Sequence, residues 1–283
     1  MSRCALALAF ATGCGSAEKH EDVSYDDRFE STTMDVYVPD GAGPHAGVML
    51  VHGGAWIGGS KSEYSQAADR LARSGWVAAT IDYRFVPDGT YPKIVQDCIC
   101  AMSFLRAHAA DYKLDPDRLA VMGYSAGGHL VSVLGASSDE PMHQPDCKSG
   151  PTKPPRAVVS GAGWHDFRGQ TADLFEEVVG VKESDDPAPW TAISPVTHVK
   201  PGLPPFLFVN GTQDVFVHMH QARTMRDALL AAGNDASILE VAGGGHLLNR
   251  TTDEGDVALE ESDMTDESWI AITDFLVRTM GKP

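Results

Sequence analysis

Apolar and polar positions along the chain fall into two rhythms. Continuous apolar runs of strand length occur at Ala46-Gly47-Val48-Met49-Leu50-Val51, 76–83, Leu119-Ala120-Val121-Met122, Ala157-Val158-Val159, Phe206-Leu207-Phe208-Val209 and 238–241. Such runs predict strands buried on both faces. Thr33-Met34-Asp35-Val36-Tyr37-Val38-Pro39 alternates instead and reads as an early strand, ended by Pro39-Asp40-Gly41. Between the runs, helical spacing takes over. Ala67, Leu71 and Ala72 share one face of 62–74, and Ile94, Cys98, Ala101, Met102 and Leu105 form a stripe after Pro92. Further helices are expected over 222–232 and 269–280. Residues 18–27 read as a polar tether, and 169–194 as a loop with one short helix around Leu174-Phe175. Strands that alternate with helices predict an α/β fold with a mainly parallel, doubly covered sheet in a single domain. No repeat or linker divides it.

One junction between rhythms carries chemistry. The run ending at Met122 passes through Gly123-Tyr124-Ser125-Ala126-Gly127-Gly128 into the apolar segment His129-Leu130-Val131-Ser132-Val133-Leu134. Strand, small-residue turn and helix around G-x-S-x-G describe a nucleophile elbow, which lifts a serine hydroxyl above the sheet. A serine needs a general base, and the base needs an orienting group. Asp214 follows the strand ending at Val209, and His246 follows Gly243-Gly244-Gly245 beyond the strand ending at Val241. The chain order Ser, Asp, His suits this fold. Of the 11 histidines, His129, His165, His218 and His220 are set aside as surface or loop residues, because none combines a strand end with the last place in that order. The main-chain N–H groups of Gly53, Gly54 and Ala126 are expected to receive the oxyanion. His52 would brace that loop, while Trp56 either walls the pocket or packs.

Composition changes this picture little. Of 283 residues 43% are hydrophobic and 22% charged, as in ordinary globular proteins. The net charge of −17 argues against nucleic acid or an anionic membrane surface as partner. Residues 1–18 do matter. Arg3, an apolar stretch too short to span a bilayer, and Ala11-Thr12-Gly13-Cys14 read as an export signal. Its end resembles the bacterial lipobox with Cys14 as the acylated residue, although Ala11 stands where leucine is usual. An ordinary signal is the alternative. The expectation is therefore a leader over 1–18, a hydrolase domain over 19–283, and a protein exported to the cell envelope and lipid-anchored, or else periplasmic or secreted. Cys98 and Cys100 lie two apart in a helix and should not bridge each other, while either could reach Cys147. No spacing suggests a metal site, and the acidic stretch 251–274 reads as a solvated loop and helix start.

The segments His52 to Trp56, Asp82-Tyr83-Arg84, Tyr91-Pro92 with Asp97, Gly123 to His129, Gly211 to Asp214 and Gly244-Gly245-His246 resemble the α/β-hydrolase superfamily. More narrowly they are similar to its hormone-sensitive-lipase-like and bacterial feruloyl/acetylxylan esterase (BD-FAE-like) branch, over roughly 34–280. The resemblance implies hydrolysis of carboxylic esters through an acyl-enzyme, without cofactor or metal. Ser125 would attack, His246 would shuttle the proton, Asp214 would orient it, and Gly53, Gly54 and Ala126 would hold the oxyanion. Trp56, Tyr124 and Trp164 are candidates for the substrate pocket. Asp82, Arg84 and Asp97 match the family pattern and are expected to be scaffold, a buried ion pair under the oxyanion loop. Departures occur at Ala55-Trp56, Asn210-Gly211 and Val217-His218, where relatives often carry a further glycine, His-Gly and Val-Pro. They leave the catalytic roles intact and the substrate open between simple short-acyl esters and acetylated or feruloylated carbohydrates. The rivals are a serine exopeptidase or amidase of the same fold, and a non-catalytic binding module. The first usually carries a large extra domain, and the second usually lacks a triad member.

Overall fold

The computed structural model describes residues 15–246, 248 and 265–283. Cys4, Cys14 and most of the acidic stretch 251–274 lie outside the described residues. The strands are β1 (Ala17–Ser24), β2 (Thr33–Pro39), β3 (His45–Val51), β4 (Val77–Ile81), β5 (Leu114–Tyr124), β6 (Val158–Gly161), β7 (Phe206–Gly211) and β8 (Ala236–Val241). They form one sheet in the order β1-β2-β4-β3-β5-β6-β7-β8. β1 with β2 and β2 with β4 run antiparallel, and every later pairing is parallel. The helices are α1 (Ser65–Arg73), α2 (Lys93–Ala107), α3 (Ala126–Ser137), α4 (Asp173–Val179), α5 (Ala188–Ile193), α6 (His220–Ala231) and α7 (Asp266–Met280).

The apolar runs are continuous because each strand feeds two cores. Met49, Val51, Val121, Val158, Phe206 and Phe208 point to the face covered by α2, α3 and α6. Their neighbours Val48, Leu50, Ala120, Met122, Val159, Leu207 and Val209 point to the face covered by α1 and α7. This is the period of two expected of a strand. Full burial of each such Val, Leu, Ile or Phe is worth about 1.5–3 kcal/mol against exposure, so both layers are well supplied. The helix read over 62–74 opens as a 3-10 segment, Lys61–Tyr64, that leads into α1. Ser60 caps it: its side chain accepts from Ser62 N and its N–H donates to Glu63 Oε1 at 2.9 Å.

Two expectations are corrected. Residues 18–27 are no tether: β1 is a strand that pairs along Ala17↔Pro39 to Ser24↔Thr33, and it starts two residues before the domain boundary placed at 19. None of its residues is buried, so it carried no apolar rhythm to read. The stretch 169–194 holds two short helices, α4 and α5, in place of one.

Candidate active site

Every candidate catalytic group sits at the carboxyl end of a parallel strand, where α/β sheets place their sites. Ser125 follows β5, the loop with Gly53 and Gly54 follows β3, Asp214 follows β7, and His246 follows β8. Ser125 has φ 54° and ψ −119°, a conformation that a side chain other than glycine rarely adopts. Such strain costs of order 1–3 kcal/mol and persists only when the surroundings fix it. Here they do: Ser125 N–H donates to Gly161 O at 2.9 Å, and its carbonyl receives His129 N–H at 3.0 Å. The turn also needs Gly127, because a Cβ there would stand 2.0 Å from Val51 O and 2.6 Å from His52 O. That close approach seats the loop after β3 directly on the start of α3.

The structure brings the three predicted side chains together. His246 Nε2 lies 3.1 Å from Ser125 Oγ, and His246 Nδ1 lies 2.9 Å from Asp214 Oδ2. Asp214 Oδ1 is occupied separately, accepting from Phe216 N–H at 2.9 Å and Val217 N–H at 2.8 Å. One carboxylate oxygen is thus fixed by backbone, and the other is left to face the histidine. This arrangement can hold the imidazole in the tautomer with Nδ1 protonated, leaving Nε2 free to accept the serine proton. Ser125 is 8% exposed and the histidine and aspartate are buried, so the carboxylate is shielded while the hydroxyl stays within reach.

The loop Gly53-Gly54-Ala55-Trp56 turns through three consecutive left-handed residues, Gly54 (φ 98°), Ala55 (φ 53°) and Trp56 (φ 63°). A Cβ on Gly54 would meet Gly58 O at 2.1 Å, so this position needs glycine. Among the described residues, the N–H groups of Gly53, Gly54 and Ala126 have no backbone acceptor, which leaves them free to donate to an anionic oxygen. His52 is fully buried, contacts Gly53 O through Nδ1 at 2.8 Å and stacks on Tyr83 at 4.4 Å. Burial lowers its affinity for a proton. Tyr83 hydroxyl contacts the carbonyls of His52 and Gly53 at 2.9 and 3.1 Å. Beside it, Arg84 holds Asp97 through Nη2 at 2.6 Å and Nε at 2.9 Å, the ion pair expected under the loop. Asp82 takes no part in that pair; it lies 3.8 Å from His52 Nε2, pairs with Lys61 Nζ at 3.4 Å and accepts from Lys61 N–H at 2.7 Å.

The residues expected in the substrate pocket fare differently. Trp56 is 2% exposed and Tyr124 3% exposed, so neither walls a substrate pocket. Trp56 packs among His129, Phe167 and Phe175, and its indole N–H donates to His129 Nδ1 at 3.2 Å. Tyr124 hydroxyl donates to His246 O at 2.5 Å and so holds the histidine loop. Trp164 is half-buried against Phe175. His129 and His165, set aside as surface or loop residues, are wholly buried, while His218 and His220 are indeed exposed. Sequence reasoning missed the Trp56–His129 contact; its signal was a polar ring one turn after the nucleophile in a helix that is otherwise small and apolar and buried all round. Phe216 and Val215 are about half exposed on the Asp214 loop, with the Phe216 ring 5.5 Å from His246. Among the described residues no group of three or more His, Cys, Asp or Glu side chains is placed to hold a metal ion.

Known proteins share this arrangement's framework. The chain is 33% identical to esterase LipC of Mycobacterium tuberculosis over 209 residues, 70% of this chain and 52% of that protein. It is 33% identical to the probable carboxylic ester hydrolase LipM of the same organism over 221 residues, 74% of this chain and 51% of that one. The chain thus spans about half the length of these curated relatives. Among solved structures, a truncated carbohydrate esterase from gut microbiota superposes with a TM-score of 0.81 at 23% identity, over 94% of this chain and 98% of that one. At that identity the likeness speaks for the α/β-hydrolase fold. The BD-FAE family model matches residues 34–229, from β2 to the last turn of α6, and so takes in the loop with Gly53 and Gly54, the elbow and Asp214. On that match the chain belongs to the BD-FAE family of α/β-hydrolases.

Proposed function

We propose that the chain is a serine carboxylesterase acting on short-acyl esters, with acetylated or feruloylated carbohydrates as its natural class. The observation that carries this reading is the continuous contact from Asp214 Oδ2 through His246 to Ser125 Oγ, at 2.9 and 3.1 Å, beside the N–H groups of Gly53, Gly54 and Ala126, which have no backbone acceptor among the described residues. Ser125 Oγ attacks the ester carbonyl as its proton passes to His246 Nε2. The carbonyl oxygen becomes anionic and is held by the N–H groups of Gly53, Gly54 and Ala126. Collapse expels the alcohol, which takes the proton from His246. Water then repeats the sequence on the acyl-enzyme and frees the acid. The names of the two mycobacterial relatives support ester hydrolysis. The test is a hydrolysis screen over acetylated sugars, feruloyl esters and simple alkyl esters, with mass spectrometry of protein treated with an organophosphorus ester. Turnover of at least one class and modification at Ser125 are expected. Modification elsewhere, or no turnover, would refute the assignment.

Export with a lipid on Cys14 belongs to the same reading. Ser16 is fastened to Asp40, through N–H at 3.0 Å and hydroxyl at 2.7 Å, so only Gly15 and Ser16 would separate an acylated Cys14 from β1. The bond between Cys100 and Cys147 supports an oxidising compartment. Changing Cys14 to Ser should release the protein from the membrane fraction or block its processing. Unaltered membrane association with normal cleavage would rule the anchor out.

A further inference from the structure

The two halves of the oxyanion cradle come from different elements, and one side-chain contact joins them. Gly53 and Gly54 lie on the loop after β3, whereas the Ala126 N–H begins α3. Trp56 closes the first half. Its main-chain oxygen accepts from Val86 N–H at 3.1 Å, and its indole N–H reaches across to His129 Nδ1 at 3.2 Å. His129 stands on α3, one turn beyond the nucleophile, with its own N–H on Ser125 O at 3.0 Å. Its far nitrogen, Nε2, lies 2.9 Å from Ile193 O at the end of α5. A carbonyl can only accept, so Nε2 carries the proton and Nδ1 offers a bare lone pair. The indole N–H can only donate, and it finds that lone pair. The two contacts therefore require the same neutral tautomer. Full burial keeps the ring neutral as well, holding its pKa down at about 4.

We infer that His129 is a positioning residue for ester hydrolysis: by accepting from Trp56 it sets the spacing between the Gly53-Gly54 loop and Ala126, and so the fit of the oxyanion. The inference rests on the serine-esterase reading of Ser125. It explains why two adjacent residues with side chains, Ala55 and Trp56, are held in left-handed conformations next to the site. The indole fastened to α3 keeps the loop from relaxing away from the elbow.

Paired substitutions separate the two ends of the imidazole. In His129→Asn the amide oxygen falls where Nδ1 was and can still accept from Trp56, while the Ile193 contact is lost. His129→Gln places its amide near the Nε2 position, keeping Ile193 and losing Trp56. Trp56→Phe removes the donor and keeps an aromatic ring. His129→Gln and Trp56→Phe should each lower kcat about tenfold to a hundredfold with KM within about twofold, since the oxyanion forms only on the way to the transition state. Affinity for a trifluoromethyl ketone, whose carbonyl oxygen becomes anionic when Ser125 adds, should fall in parallel. His129→Asn should recover most of both losses. Equal impairment of the two histidine variants, or Trp56→Phe with unchanged kcat and ketone affinity, overturns the inference. Should the variants fail to fold, the indole N–H resonance of Trp56 in the unsubstituted enzyme decides: it should move when the ketone adduct forms, and a fixed signal overturns the inference. An unsubstituted enzyme that hydrolyses no ester and forms no adduct refutes the reading of Ser125 itself. One that does both, with indifferent variants, refutes only the role of His129.

Discussion

Ser125 is exposed by a few per cent and packs no core with its oxygen, so its chemistry and its structural part can be separated. Ser125→Ala should leave the melting temperature unchanged and reduce kcat by about a millionfold, the usual effect of losing the nucleophile of a triad. Asp214→Asn should cost about ten-thousandfold with the fold intact, because an amide in place of Oδ2 favours the wrong tautomer of His246. Kinetics on purified variants with matching thermal melts check both; a tenth of the original activity in Ser125→Ala would mean that another nucleophile operates. Two other histidines act on stability. Burial holds His129 down at about 4 and His165 at about 3. In the unfolded chain both titrate near 6.5. Between that value and the folded ones, the unfolded state binds more protons, so stability is complete above about pH 6.5 and drains as the pH falls. Each ring contributes a slope of about 1.4 kcal/mol per pH unit in that window. Urea unfolding at pH 7, 5.5 and 4.5 should show it, and His165→Phe should lessen it by the share of one ring. An unchanged slope in that variant would mean that the ring is solvated in the folded protein.

At the scale of elements, the sequence was legible wherever a strand or helix announces itself through apolar side chains. β3, β4, β5, β6 and β7 were readable because both faces of each are buried, and Asp214 and His246 because their strands end in glycine-bearing turns. β1 was not, since it is held by a backbone ladder to β2 and by polar contacts such as Lys19 to Asp35 at 3.1 Å, with no buried side chain. α5 was missed as well: it has six residues and a proline in its first turn, too few for a helical stripe. The burial of His129 and His165 was invisible for a related reason. A polar ring inside is fixed by partners that an apolar pattern does not name: Ile193 O, far along the chain, for His129, and Ser160 Oγ, at the end of β6, for His165. The cysteines show the same limit. Their spacing excluded a Cys98–Cys100 bridge but left the partner of Cys147 open; the structure joins it to Cys100 and buries Cys98 as a thiol. That bond ties α2 to the segment after α3 across a separation of 47 residues. Closing a loop of this length in the unfolded chain is worth about 4 kcal/mol by the loop-entropy estimate. Replacing both Cys100 and Cys147 by Ser should lower unfolding stability by roughly that amount while kcat at 25 °C is kept, because the site is built on other elements. A loss below about 1 kcal/mol in urea titrations would show that the link constrains little.

For the whole molecule, the question is what covers the carboxyl end of the sheet and how much acyl chain it admits. α4 and α5 have only seven and six residues, and they bring no long apolar face over Ser125. The space beneath them is filled by aromatic rings in mutual contact. Trp56 to Phe167 is 5.4 Å, Phe167 to Phe175 5.1 Å and Trp164 to Phe175 4.9 Å between centroids. Among the described residues, exposed apolar side chains on the loops of the site lie outside this cluster. Ile57, Val215 and Phe216 are each about half exposed, on the loops that follow Gly53-Gly54 and Asp214. Among the described residues these three side chains offer a short acyl chain a lateral contact and form no wall around a long one. A methylene that becomes buried is worth about 0.8 kcal/mol, close to a fourfold gain in kcat/KM, whereas one left in water gains almost nothing. The gain should therefore stop where the acyl group meets the aromatic cluster, within about two to four carbons. Acetyl esters should be preferred to butyryl esters, and long-chain lipids should be poor substrates. The check is kcat/KM over aryl esters of increasing acyl length, each kept below the concentration at which it forms micelles. A maximum at eight carbons or beyond would mean that the rings part to open a deep acyl channel, and would make the enzyme a lipase.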